Sequence, residues 1–491
     1  MRRSRIYCPN FLLLLFLILT ANLSLFAQQK KYSAEIEQRI KEVEQNLASW
    51  VQIENSPKWN LEYRMKVYKA NGVSIAVIKN YKIEWARGYG WADSAEQRPV
   101  NASTLFQAAS VSKSLNALGV LKLVQQEKLN LYEDINKYLK TWKFPYDSLS
   151  KGKKITIANL LSHTAGLTVH GFPGYTKGDT IPTLTQILNG KRPANTSAIR
   201  SEFEPSLKYQ YSGGGITLSQ LIIEDITHEP YDVYMWKNVL KPMGMTNSFF
   251  TQPPPAQKQK NAATAYNGGN EVKGKYHIYP EQGAAGLWTT PTDLAKYIIE
   301  TQLSLQGKSN KVLSREMTKL RLTPYIDSSS ALGVFIIKKG DEIYFNHGGQ
   351  NEGFVSQTFG SMKNGNGVVV MTNTVGDIRD EIVNSVAIVY NWKNFYTPKI
   401  KKLVNPGKDI LEKYIGKYKI MTEEYAITRE NDALLFNDGT NKLKMYFTSD
   451  VQFFVQELSE AEFKFSKDPQ NAVDGFYFKQ GSFEIKADKL K

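Results

Sequence analysis

The chain has 491 residues, of which 42% are hydrophobic and 22% charged. That is ordinary globular composition with enough length for two or three cores, and it argues against a disordered chain. The 62 basic and 47 acidic side chains leave a net charge of +15, scattered along the chain. A scattered excess suits proximity to anionic surfaces. With no zinc-finger spacing and no aromatic motif for stacking bases, it does not suit a nucleic-acid site.

The first residues have the pattern of an export signal. Arg2, Arg3 and Arg5 form a positive start, "FLLLLFLILTA" an apolar core, and Ala27 a small residue for cleavage. Residues 1–27 are therefore expected to be a signal peptide, with an uncleaved anchor as the alternative, and the mature protein to be periplasmic or secreted with no stable membrane span. The single cysteine, Cys8, precedes the apolar core, so the mature chain is expected to have no disulfide and no thiol nucleophile.

Ile36, Ile40, Val43, Leu47 and Val51 recur at helical spacing, which predicts an amphipathic helix over 34–53. Strands are expected at Val73–Ile78 and Lys82–Gly88, turning at Asn80. An apolar helix is expected over 110–126, a buried strand over 368–373 and a closing helix over 377–393. Residues 28–396 form one expected domain. The stretch "TPKIKKLVNPGKD" reads as an exposed linker at 397–408, rich in lysine, proline and glycine. Short alternating runs then predict an antiparallel, barrel-like (lipocalin-like) β domain over 409–491.

The stretch "FQAASVSKSLNALGV" places Ser110 three residues before Lys113 at a helix start. Positions i and i+3 share a face, so the ammonium can approach the hydroxyl. A serine needs a base to become a nucleophile, and burial can lower a lysine far enough to serve. Ser-x-x-Lys also occurs by chance, and serine is common at helix starts. Elsewhere, His163 in "LLSHTAGL" reads as structural, fixing a loop through hydrogen bonds. His170, His228 and His277 lack metal-ligand spacing, and with no His-Glu-x-x-His and no cysteine pair neither a catalytic metal nor a cofactor is expected. "YSGGG" lacks the lysine of a phosphate-cradling loop, and no Gly-x-Ser-x-Gly elbow surrounds any serine.

Six ordered segments resemble the serine β-lactamase and penicillin-recognising family, especially its class C branch. They are "LFQAASVSKSL", "ITIANLLSHTAGL", "YQYSGGGITLSQLIIE", "PMGMTNSFF", "AAGLWTTPTDLAKYI" and "FNHGGQNEGF". The resemblance covers about residues 65–390. It implies an α/β (α+β) fold, with an antiparallel sheet flanked by helices and joined to an all-helical lobe, and the serine between them. It implies Ser110 as the acylated nucleophile, Lys113 as its base and Tyr211 as a proton relay whose pKa the lysine charge would lower. His347 and Gly349 match the third motif, and the backbone N–H groups of Ser110 and Gln350 would form the oxyanion hole. There are departures: Gly213 stands where the family has asparagine, and His347 where many members have lysine, which weakens the charge available to a substrate carboxylate and makes it pH-dependent. The expected activity is acyl transfer on small esters, D-amino-acid amides or peptides, or peptidoglycan fragments. The alternatives are a β-lactam-hydrolysing enzyme and a non-hydrolytic penicillin-binding sensor.

Overall fold

The computed structural model describes residues 31–490 apart from 438, 440, 441, 459, 460 and 482. The expected signal peptide lies outside the described residues. Helix α1 (Ala34–Gln45) starts at the Ser33 cap, which accepts the N–H of Ile36. It stops earlier than the apolar spacing implies. The backbone of Leu47 turns away to exchange hydrogen bonds of 2.9 Å with Trp59, and Val51 lies in a short strand, Val51–Ile53, paired in parallel with Lys399–Lys401. Leu47 still joins Ile40 and Val43 in one buried cluster, and Val51 is buried as well.

After α2 (Leu61–Val67) come β1 (Gly72–Lys79), β2 (Lys82–Asp93) and β3 (Arg98–Pro99). The sheet resumes far along the chain with β4 (Phe335–Lys339), β5 (Glu342–Asn351), β6 (Phe354–Ser361) and β7 (Gly367–Thr372). The spatial order is β3-β2-β1-β7-β6-β5-β4, and every neighbouring pair is antiparallel. Strand β1 is buried along nearly its whole length, Ser74 included, because both faces of the sheet are covered. Val73, Ile75 and Val77 pack with Ile40 and Val43 of α1 and with Ile378, Ile382 and Val386 of the closing helix (Ile378–Val389). Ala76 and Ile78 face the other way, onto Leu294 and Ile298 of the helix Pro291–Leu305.

Between the two halves of the sheet lies the helical lobe. Its centre is α3 (Ser112–Gln125) against α4 (Gly213–Thr227), each buried nearly all round. Asn116 of α3 donates to Ser219 of α4 at 2.8 Å, which satisfies both polar groups at depth.

The C-terminal segment is a closed eight-stranded antiparallel barrel from Gly416–Ile420 to Phe483–Lys489, zipped shut where Tyr418 of the first strand faces Lys489 of the last. Its interior is filled by Tyr418, Phe436, Phe453, Phe463, Phe465 and Phe476. Tyr414, just after the short helix Lys408–Glu412, stacks on Phe465 with centroids 3.6 Å apart. The barrel is fastened to the sheet domain by Arg64 of α2. That guanidinium is 1% exposed, grips Glu381 at 2.7 and 2.5 Å, and reaches Glu457 of the barrel at 3.2 Å. None of the helices among the described residues is long and apolar enough to cross a membrane.

Candidate active site

Ser110 sits in a 3₁₀ turn, Ala109–Val111, that feeds α3. Ala109 holds φ +50, a left-handed conformation that costs a non-glycine residue about 1 kcal/mol. The surroundings enforce it. Ala108 donates to Leu287 O at 2.9 Å, its own carbonyl accepts Ser356 Oγ at 2.7 Å, and Ser112 Oγ bonds Ala109 O at 2.5 Å.

One helical turn on, Lys113 Nζ donates to Ser110 Oγ at 3.0 Å and to the carbonyl of Ala284 at 2.7 Å. Burial lowers the Lys113 amine to about 7. Tyr211 precedes Ser212, the cap of α4, and its phenol feels the Ser110 side chain nearby. Lys113 Nζ lies 5.1 Å from the Tyr211 ring centroid. The three side chains therefore converge, although a hundred positions separate Tyr211 from the other two. The phenol is not lowered, as the lysine charge alone would make it. Burial pushes it up to about 12, against the smaller lowering effect of Ser110, because desolvating a phenolate outweighs the attraction of a lysine that is itself poorly charged.

Strand β5 supplies the opposite wall. Its partner β4 ends where Phe335 faces Asn346, so β5 continues from His347 to Asn351 with one edge free. His347 O accepts Thr358 Oγ on the β6 side at 3.0 Å. By alternation the backbone of Gly348 and Gln350 points to the free edge. At Gly349 a Cβ would stand 2.3 Å from Ala108 O and 2.9 Å from Ser110 N. Only glycine lets β5 come this close to the nucleophile turn. Gly349 thereby lies directly against the Ala108 carbonyl and the Ser110 N–H.

His347 is 2% exposed, and its Nδ1 lies 2.6 Å from Gly348 O. That oxygen can only accept, so the ring proton sits on Nδ1 and Nε2 is a bare, buried acceptor with no partner. Burial first, then the Lys113 charge, lowers His347 to about 3. The imidazole is therefore neutral throughout the physiological range, a stronger departure from a cationic lysine than the sequence alone implies. Arg379 donates to Gly349 O at 3.2 Å and to Ser356 O at 3.3 Å.

Gly213 also has a local cause. A Cβ there would be 2.9 Å from the Phe172 ring and 3.4 Å from His170 O, so Phe172 fills the space an asparagine would use. Three contributors escaped the motif reading: the Ala284 carbonyl, Phe172, and Phe335, whose ring lies 5.2 Å from His347. A carbonyl carries no residue signature, and the two phenylalanines read as ordinary core. No cluster of three or more metal-ligating side chains occurs among the described residues.

A β-lactamase family profile matches residues 60–390. The chain belongs to the β-lactamase family. As a β-lactamase-family protein it is 26% identical to protein flp of Staphylococcus aureus strain N315 over 71% of this chain and 68% of that one. Its fold matches the octameric penicillin-binding protein homologue from Pyrococcus abyssi with TM-score 0.60 and 22% identity, covering 87% of this chain and 98% of the other. It also matches the D-amino acid amidase from Ochrobactrum anthropi SV3, solved with L-phenylalanine amide, with TM-score 0.55 and 19% identity over 73% and 99% of the two chains. The family is one of serine hydrolases, and the sheet, helical lobe and terminal barrel are as its resemblance and the β-rich tail imply.

Proposed function

We propose that this chain is an exported hydrolase that works through an acyl-enzyme on Ser110. Neutral Lys113 takes the Ser110 proton as Oγ attacks a carbonyl carbon. The developing oxyanion is held by the N–H groups of Ser110 and Gln350. The proton then passes, through the Tyr211 phenol or directly, to the leaving amine or alcohol. Water attacks the ester on Ser110 by the same route in reverse, releasing the acid and restoring serine and lysine. The single observation that carries this reading is the 3.0 Å contact between Ser110 Oγ and a buried lysine lowered to about 7.

The substrates are small esters, D-amino-acid amides or peptides, or peptidoglycan fragments, with no requirement for a carboxylate on the leaving side. The neutral His347 supports that preference: it presents a lone pair where a lysine would present a charge. The shared fold with a D-amino acid amidase puts such amides in the first test panel. The purified protein should turn over a nitrophenyl ester or a D-amino-acid amide, and Ser110→Ala should abolish it. Turnover surviving in Ser110→Ala would overturn the assignment of the nucleophile. A second reading, slow acylation by penicillins without release, draws on the family itself. A labelled penicillin that stays on Ser110 while no ester is hydrolysed would favour it.

A further inference from the structure

Two loops are laced together beneath the catalytic tyrosine, and the lacing centres on one peptide unit. Gln210 N–H donates to His163 O at 2.8 Å, and Gly214 N–H to Val169 O at 2.9 Å. Between these, the Ser212 side chain donates to Thr168 O at 3.0 Å. The peptide joining Tyr211 to Ser212 is gripped from both of its polar ends by imidazoles. Ser212 N–H donates to His163 Nδ1 at 3.2 Å. His170 Nδ1 lies 2.6 Å from Tyr211 O and so must donate to it. The two rings therefore hold complementary tautomers: His163 carries its proton on Nε2, and His170 carries one on Nδ1.

His163 does more than accept. Its ring lies against the Tyr211 ring with centroids 4.3 Å apart. It is 3% exposed and holds φ +58, a conformation histidine adopts at a cost. His170 is on the outside, with Nε2 3.6 Å from the Glu202 carboxylate. The chain thus spends a buried ring in a strained backbone position and an exposed ring backed by an acid on fixing one peptide plane. That plane sets where the Tyr211 phenol meets Ser110.

We propose that His163 and His170 are positioning residues for the proton-handling phenol of Tyr211, one acting as acceptor and the other as donor on the same peptide. Neither touches the reacting atoms. The proposal rests on the reading of Tyr211 given above. A displacement of about 1 Å at a catalytic group costs on the order of 10²-fold in rate, so loss of the grip should appear in kcat, with KM nearly unchanged.

The experiment exploits side-chain reach. Asparagine puts its amide oxygen or nitrogen near the place of Nδ1, whereas glutamine puts it near Nε2. Four variants of the full mature chain are compared: His163→Asn, His163→Gln, His170→Asn and His170→Gln. Each is assayed for nitrophenyl-ester turnover, rate of fluorophosphonate labelling of Ser110, and thermal melting. Expected results are kcat within about 3-fold of wild type for both asparagine variants, about 10²-fold lower for His163→Gln, and about 10-fold lower for His170→Gln, where water can replace the lost donor. Asparagine and glutamine variants of equal kcat, or losses that track the melting temperature alone, would overturn the proposal. His170 is exposed, so its variants fold and decide the matter if His163→Gln does not. A wild-type protein that neither turns over ester nor takes the label would instead overturn the reading of the site, and this inference with it.

Discussion

A lysine buried without a carboxylate partner releases its proton near neutrality, and that sets the pH dependence of this site. With Lys113 lowered to about 7 and Tyr211 raised to about 12, the site at pH 8–9 holds a largely neutral amine and a protonated phenol. In the proposed mechanism that amine is the base that starts acylation. kcat/KM for an uncharged ester should climb through a midpoint near pH 7 and stay level above it, and Lys113→Ala should lose about 10²–10⁴-fold. A profile flat from pH 6 to 9 would refute this. A second titration concerns stability. Glu281, at the head of the Gln282–Ala285 turn whose Ala284 carbonyl binds Lys113, is wholly buried with both carboxyl oxygens unpartnered, and burial raises it to about 8. Its folded value exceeds the unfolded one, so its neutral form favours folding below about pH 4.3 and that advantage is lost as pH rises toward 8. Glu281→Gln should thus stabilise the protein by on the order of 3 kcal/mol at pH 7 and by nearly nothing at pH 4, measured by urea unfolding at the two values. Of these side chains, the proximity of Ser110 and Lys113 was legible from spacing, because i and i+3 share a helix face, but a catalytic role for them was not. Tyr211 and His347 were legible only through family resemblance. The neutrality of His347 and the raised phenol were not legible, because both depend on burial by segments remote in sequence.

At the scale of elements, the site depends on a strand that outruns its neighbour. Strand β5 is free beyond Asn346 because β4 stops at Phe335, and Gly349 lets that edge press on the serine turn. Gly349→Ala should separate the two, lowering kcat/KM by about 10²-fold, the usual cost of losing one oxyanion donor, while the circular dichroism spectrum stays that of wild type. Retained activity would mean that the Ala108 carbonyl gives way freely. Most elements could be read in advance. The strands at 73–78, 82–88 and 368–373 recur as β1, the first half of β2 and β7, since buried strands announce themselves as short apolar runs between turns. The first helix was overextended. Its spacing of three and four continues to Val51, but a run of i, i+4 positions cannot reveal that the Leu47 backbone has found a partner in Trp59. The 3₁₀ turn ahead of α3 was equally silent, because a left-handed alanine has no signature.

At the scale of the whole molecule, the proposed division into a hydrolase domain at 28–396, a linker at 397–408 and a barrel at 409–491 places Arg64 at the junction. Its guanidinium serves Glu381 within the sheet domain and Glu457 on the barrel. Arg64→Met should cost about 3–5 kcal/mol, since it strands a buried carboxylate. Glu457→Gln, on the more exposed partner, should cost less than about 1 kcal/mol. Urea unfolding of the two variants checks the ranking, and equal losses would show that the barrel contact carries the joint. The sheet has a consequence for biosynthesis. Strand β1 is third of seven, beside the central strand β7, with Gly367–Thr372 opposite Val73–Ile78. A nascent chain that has reached residue 300 holds half a sheet with a bare central edge and no means of closing it. Nearly the whole hydrolase domain must emerge before any of it is secure, so the polypeptide stays open to a translocase, or to proteolysis, until late in its synthesis.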